Sequence, residues 1–259
     1  MLKDSLKKIL GNVGIGAVSS NRLAELLATE TLATQVLKMI SEGASLQGQS
    51  KAQLHQDVFV LLATGFKKGG YFVEFGATNG VKRSNTHLLE KHYGWNGILA
   101  EPAKLWHPEL VKNRDCEIEL NCVWHSSDET ISFSAASDGE LSTIARFADS
   151  HAGINGQPEA ETYDVKTISL TDLLTKYAAP STIEYLSIDT EGSEFEILNA
   201  FDFDRYQFGI IHVEHNYDEA KRADIFALLN KHGYTRRFEN FSRWDDWFYN
   251  QGVLDRLAG

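Results

Sequence analysis

The sequence predicts an α/β fold: a mostly parallel β-sheet with helices on both faces, preceded by an N-terminal helical extension. Three observations predict it. From Tyr71 onward, short apolar runs alternate with helix-period stretches, as strands and crossover helices do. The run Tyr71-Phe72-Val73-Glu74-Phe75 ends in a small-residue turn, Gly76 to Gly80, with a polar helix start at Ser84-Asn85-Thr86. Polar residues also gather where the predicted strands end, while the strand interiors are apolar. In open α/β sheets, ligands bind outside those carboxyl ends.

The elements follow in order. Residues 2–10 place Leu2, Leu6, Ile9 and Leu10 on one helical face and three lysines on the other. Residues 21–42 read as a second helix, and Gly43 to Ser50 breaks the pattern. A third helix runs from about Ala52 to Thr64, which sets a helical extension or cap at residues 1–65 before a main domain at 66–259. Strand 71–76 leads to helix 84–93, strand 96–101, a short helix to Asn113 and strand 115–123. Residues 129–134 alternate as an edge strand would. Residues 135–160 form a long loop, a candidate acceptor-binding lid carrying Ser142, Thr143, Arg146 and His151. Strand 162–169 follows, then helix 170–178 with Thr171 as N-cap, strand 182–188, helix 193–200, strand 207–213 and helix 218–231. Strands near 234–239 and 244–250 close the sheet.

Composition narrows the function. The 259 residues carry 36 acids against 25 basic residues, a formal charge of −11. That balance argues against nucleic acid as the partner, because backbone binding needs a basic footprint; Arg236-Arg237 is a local exception. The two cysteines, Cys116 and Cys122, show no zinc spacing and fit a reducing, cytoplasmic location. No apolar run reaches the roughly 18 residues of a membrane span, and the start lacks the apolar core of a signal peptide. The N- and C-terminal helices are candidate contacts for a homodimer.

The strand ends supply Glu74, Gly76 and Gly80, then Glu101, Asn121, Asp189 with Glu191, and Glu214 with His215 and Asn216. Glu101 lies 21 residues after Gly80, where a carboxylate accepts the ribose hydroxyls of an adenosine. Gly76 and Gly80 lack the middle glycine of G-x-G-x-x-G, so close approach to a pyrophosphate is disfavoured. A ligand with adenine and ribose but no phosphate fits better, which points to S-adenosylmethionine.

Several ordered stretches resemble the FkbM-type methyltransferases: Val73 to Gly80, Ser84 to Glu90, Gly94 to Pro102, and Tyr185-Leu186-Ser187-Ile188-Asp189-Thr190-Glu191-Gly192-Ser193-Glu194. Upstream, Ser50 to Asp57 resembles that family's Ser-Gln-x-Gly-Gln-Asp lead-in, with His55 where glycine is usual. The resemblance covers roughly residues 50–235. It implies a class I, Rossmann-like methyltransferase sheet of seven strands, one of them antiparallel. It implies S-adenosylmethionine as donor and, often, a sugar or glycan hydroxyl as acceptor.

Carried over by position, the turn with Gly76, Ala77, Asn79 and Gly80 meets the methionine end of the cofactor, and Glu74 orients that turn or the cofactor's amino group. Asn85 meets the carboxylate, Glu101 and Pro102 lie by the ribose, and Asn121, Cys122 and Val123 lie by the adenine. Gln53 and Asp57 close the site from the N-terminal side, and Asp189 also faces the cofactor. Asp189, Glu191 and His215 are the candidate catalytic residues, with His215 or Asp189 as base. Asp189, Glu214 and His215 are candidate ligands for Mg²⁺ or Mn²⁺, because hard cations prefer oxygen. His212 reads as a residue packed in the sheet. Trp106, Trp124, Trp244 and Trp247 are candidate sugar platforms, against the commoner fate of core packing. Two other classes stay open: a nucleotide-sugar oxidoreductase or epimerase, which lacks its G-x-G-x-x-G and a clear Tyr-x-x-x-Lys pair here, and a non-catalytic binding module on the same fold.

Overall fold

The computed structural model describes residues 42–46, 48–136, 142–147 and 160–258. The helices expected over 2–10 and 21–42 lie outside these, apart from residue 42. The chain divides into two compact units, residues 1–46 and 47–259. In the first, residues 42–46 are helical where the glycine at position 43 predicts a break, and the Ser45 hydroxyl donates to the Glu42 carbonyl.

The second unit begins with α1 (Gln56–Ala63), so this helix shares one compact unit with the sheet. Then come β1 (Tyr71–Phe75), α2 (His87–Tyr93), β2 (Asn96–Ala100), α3 (His107–Asn113), β3 (Glu117–Glu119), β4 (Cys122–Trp124), β5 (Thr130–Ala136) and β6 (Thr143–Ile144). The rest is β7 (Ala160–Ser169), α4 (Leu170–Lys176), β8 (Thr182–Ile188), α5 (Glu194–Asn199), β9 (Gln207–Glu214), α6 (Glu219–Lys231), β10 (Thr235–Arg237), α7 (Glu239–Ser242), β11 (Asp245–Tyr249) and α8 (Gln251–Ala258). None of the described helices is long and apolar enough to cross a membrane.

The main sheet has seven strands in the order β3-β2-β1-β8-β9-β11-β10. The pairs from β3 to β9 are all parallel, and β11 runs antiparallel to both its neighbours. Strand order reverses between β1 and β8, the switch point at which such sheets open a crevice. One face carries the main core: Val73, Ile98, Leu186, Ile211 and Phe248 pack under Leu173 of α4, Leu198 of α5 and Leu229 of α6. Each such fully buried side chain contributes roughly 1.5–3 kcal/mol. The opposite face carries a polar row. The strand register aligns Glu74, Ser187, His212 and Trp247 across four adjacent strands. Alternation along each strand puts these four on one side.

Three local expectations change. The strand predicted over 115–123 is two strands, because the chain turns at Leu120 and Asn121; Leu120 is 43% exposed and the Asn121 amide donates to the Glu119 carboxylate. β4 then joins a second sheet, ordered β4-β7-β5-β6, so β5 has a partner on each side and is not an edge strand. Helix α4 is capped by Ser169, whose side chain accepts the Asp172 amide, and not by Thr171, which lies inside the first turn.

His55 sits at φ 57° and ψ 35° as the residue before α1. That left-handed conformation explains why glycine suits the position. His55→Gly is expected to leave unfolding free energy within about 1 kcal/mol of the parent, while the β-branched His55→Val lowers it by about 2 kcal/mol. Urea titrations of the two variants check this.

Candidate functional site

A cavity of about 550 Å³ opens at the carboxyl ends of β1 and β8, a size suited to a cofactor-sized ligand. Strand ends and the loops after them build its walls: Gly76 and Thr78 after β1, Glu101 and Pro102 after β2, Asp189 to Ser193 after β8, and Glu214 with Asn216 to Asp218 at the end of β9. Gln53 closes it from before α1, and Cys122, Val123, Phe133, Ser142 and Ile144 of the second sheet form a side wall.

The turn after β1 is pinned from below. Gly76 has φ 75°, and a Cβ there would run into the backbone carbonyl of Asp189. Only glycine lets β1 and β8 approach this closely. The buried Glu74 carboxylate accepts from the Ser84 hydroxyl (2.9 Å), the Asn85 amide (2.7 Å) and the Thr86 hydroxyl. Arg114, fully buried, donates to the Gly80 carbonyl, Ser84, Thr86 and Glu90. Charge-assisted bonds of this kind are the stronger ones in a buried setting. Glu74 thus holds the loop that presents Asn85 to the cavity. Arg114 does the same work and has no strand-end signal in the sequence.

Glu101 is buried at the end of β2. Its two oxygens accept the amides of Thr78 (2.8 Å) and Ala103 (2.8 Å). Burial pushes its pKa up to about 7, against the lowering effect of those two bonds. The amides of the glycine turn are already engaged within the protein: Gly76 donates to Ala100, Thr78 to Glu101 and Gly80 to Ala77. These three are therefore not a cradle for a pyrophosphate.

Across the cavity, Asp189, Glu191 and Glu214 bring carboxylate oxygens within 4.8 Å of one another. Burial raises the pKa of all three; the Asp189 charge adds to it at Glu191 and Glu214, while at Asp189 a hydrogen bond with Glu214 lowers it and the Glu194 and Glu74 charges raise it. The Asn216 amide bridges Glu191 (3.1 Å) and Glu214 (2.8 Å). The turn that carries Asp189 and Glu191 is tied by Glu194. One of its oxygens accepts Thr190 N, Thr190 Oγ1 and Gly192 N at 3.0–3.1 Å, and the other pairs with Lys221 at 3.0 Å. Glu191 is held at φ 55° in this turn, and Thr143 of β6 donates to its carbonyl.

Of the residues read from the sequence, the structure gathers Gln53, Glu74, Gly76, Asn85, Glu101, Pro102, Cys122, Asp189, Glu191 and Glu214 around one cavity. It places others beneath or beside it. Ala77 is buried in the turn. Asn79 caps the same turn, accepting the Val81 and Lys82 amides, and Gly80 packs on Leu110 and Arg114. Asn121 sits at the bend between β3 and β4, off the lining, while Cys122 and Val123 are on it. Asp57 is buried under the site and bonded to Ser50.

His215 needs a correction as base and as metal ligand. Strand alternation turns it away from Glu214: its Nδ1 accepts the Tyr217 amide and its Nε2 lies 3.9 Å from Asp246. Glu191 takes its place beside Asp189 and Glu214. His212 is packed in the sheet as expected, stacked on Trp247 with ring centroids 4.8 Å apart; burial lowers its pKa to about 3, so the ring is neutral.

Of the tryptophans, Trp244 lines the cavity, Trp124 and Trp247 are buried, and Trp106 packs beside the core of the second sheet. From the expected lid, Ser142 lines the cavity, Arg146 lies over the Trp124 ring at 4.2 Å, and His151 falls outside the described residues. The basic patch is neutralised at Arg236, which pairs with Asp246 and Glu239.

A family model described as the methyltransferase FkbM domain matches residues 74–252. Comparison with curated proteins gives no match. Among solved structures, the chain is similar to the methyltransferase FkbM from Methylobacillus flagellatus KT, with 11% identity and a TM-score of 0.44 over 83% of this chain and 60% of that one. It is similar to a precorrin-6y C5,15-methyltransferase from Geobacter metallireducens GS-15, with 10% identity and a TM-score of 0.39 over 70% and 71% of the two chains. It is also similar to a SAM-dependent methyltransferase from Aquifex aeolicus, with 11% identity and a TM-score of 0.38 over 81% and 96%.

The buried acids set a pH dependence. Asp57, Glu101 and Asp245 are raised to about 7, and the Asp189, Glu191 and Glu214 group is raised as well. Their folded pKa values exceed the unfolded ones near 4, so the native state keeps protons that the unfolded chain has released. Stability therefore falls as pH rises from about 4 through 7. His87 and His212, lowered to about 4 and about 3, act in the opposite sense, below about pH 6.5. The ligand-free protein is expected to melt higher at pH 6 than at pH 8, read by scanning calorimetry.

Proposed function

Because the chain belongs to the FkbM methyltransferase family, whose members draw on S-adenosylmethionine, we propose that it methylates a hydroxyl of a sugar, a glycan or a glycosylated small molecule. The observation that carries the donor half is the turn after β1, whose three named amides are engaged internally beside a buried ribose-type carboxylate, Glu101. A dinucleotide needs the reverse, free amides for its pyrophosphate. That favours a methyl donor over the nicotinamide cofactor of an oxidoreductase or epimerase. The lining also suits a cationic ligand: Glu74, Glu101, Asp189, Glu191, Glu214 and Asp218 face Arg83 and Lys221. When bound, S-adenosylmethionine supplies an electrophilic methyl group and a sulfonium leaving group.

The chain's own residues do the rest. Glu101 takes the ribose hydroxyls. Cys122, Val123 and Phe133 exclude water from the adenine side, and the Cys122 thiol, raised by burial to about 12, stays protonated and inert. Asn85 and the Gly76 turn hold the methionine end. Asp189 accepts the proton of the acceptor hydroxyl; with no ion bound, protons on Glu191 and Glu214 let it stay ionised among like charges, and an ion would displace those protons. Trp244, and Tyr217 at 63% exposure, offer aromatic faces at the mouth for a sugar ring. The chain's acidity supports a partner other than nucleic acid, and its two free cysteines support a cytoplasmic setting.

Asp189, Glu191 and Glu214 also form an all-oxygen set of the kind that binds Mg²⁺ or Mn²⁺. These three would hold the ion, and its charge would lower the pKa of an acceptor hydroxyl.

Titration calorimetry with S-adenosylhomocysteine is expected to give saturable binding. Glu101→Ala should weaken it about 10–100-fold, as loss of charged hydrogen bonds does. Asp189→Asn should lower kcat about 100-fold or more in a labelled-methyl assay over sugar acceptors. No binding at millimolar ligand overturns the donor assignment. For the metal, EDTA is expected to abolish turnover and Mg²⁺ or Mn²⁺ to restore it; full activity in chelator removes the ion from the scheme.

A further inference from the structure

We infer that the fold contains a binding site for one water molecule behind Asp189, and that this water ties the Asn85 amide to the His212 ring. A small cavity of about 10 Å³ lies within the wall of the main one. That is the space of a single water. Asn85, Ser187, Asp189, His212, Gln56 and Asp245 line it.

Two hydrogen bonds on the polar face leave two ends open beside this cavity. The Asn85 Nδ2 donates to Ser187 Oγ at 2.9 Å. The Tyr185 hydroxyl pairs with His212 Nδ1 across 3.0 Å. These two bonds use the amide nitrogen of Asn85 and one ring nitrogen of His212. Asn85 Oδ1 and His212 Nε2 are both buried and have no partner among the described residues. One is an acceptor, the other a ring nitrogen that donates or accepts with the tautomer, and both residues line the same cavity.

The pair selects the ligand's chemistry. The space holds one water-sized ligand, and an apolar filler satisfies neither end. Water donates to Asn85 Oδ1 and pairs with His212 Nε2 in either tautomer. Asp189, Asp245 and Arg83 line the same space as further partners. Three partners is the usual number for a buried water. His212 then acts as a positioning residue. Through the water it holds the plane of an amide whose other side lines the cofactor cavity, a role that rests on the cofactor assignment above.

A crystal structure of the ligand-free protein at about 1.8 Å tests the site. The expected result is an ordered water within about 3.2 Å of both Asn85 Oδ1 and His212 Nε2. Density without a bridging water overturns the proposal, and this readout is independent of methyl transfer. His212→Phe keeps a ring on Trp247 and removes both nitrogens. It is expected to lose the water and bind S-adenosylhomocysteine about tenfold more weakly, and His212→Gln, which restores a donor, to recover most of that loss. Unchanged affinity in His212→Phe, or no recovery in His212→Gln, overturns the positioning role. If His212→Phe does not fold, the parent crystal still decides the site.

Discussion

The site depends on a carboxylate placed inside a sheet. Glu74 sits at one end of the polar row, in the middle of the sheet, with Ser187 beside it on β8. A charge in that position is tolerable only with full hydrogen bonding. Ser84, the Asn85 amide and Thr86 supply three bonds, and Arg114 lies 3.8 Å away with no exposed surface. The arrangement works in both directions. The loop from Gly80 to Thr86 satisfies the buried acid, and the acid fixes the loop over the strand ends. The orientation of Asn85 and the start of α2 follow from that exchange.

On the far side of the switch point the constraint is inverted. Glu191 and Glu214 share the Asn216 amide, while Asp189 lies close to both and to Glu194. Here like charges are brought together and only partly neutralised. Glu194 and Lys221 keep the turn in place, and Thr143 secures the strained Glu191 from the second sheet. The fold thus holds a crowded acidic group at the point where an acceptor would meet the methyl donor. Crowding of this kind opposes stability and suits proton transfer or cation binding.

Much of this was legible in the sequence. Glu74, Gly76, Glu101 and the Asp189 to Glu191 turn are strand-end residues, and strand ends are readable from apolar runs and glycine punctuation. Their gathering around one cavity follows from a parallel sheet alone. The errors share a cause. His215 follows Glu214, and a one-residue step along a strand reverses the face, so the neighbour of a site residue points elsewhere. Asn79 and Gly80 belong to the turn yet serve its shape. Arg114 acts from a helix end 30 residues beyond Ser84, and no local pattern marks it, whereas Glu194 ties its own turn from four residues away.

By itself, the sequence determined the alternation of strands and helices, the missing middle glycine and the acids at the strand ends, because these rest on period, on backbone freedom and on spacing along the chain. Tertiary structure alone decided that 115–123 splits between two sheets, that Glu191 and not His215 joins Asp189 and Glu214, and that Asn85 meets Ser187 while Tyr185 meets His212. Those outcomes depend on which side chains meet across strands and loops as many as 102 residues apart, as Asn85 and Ser187 are. Distance along the chain carries no record of such meetings. Register, burial and the need to satisfy every buried polar group create them when the sheet closes.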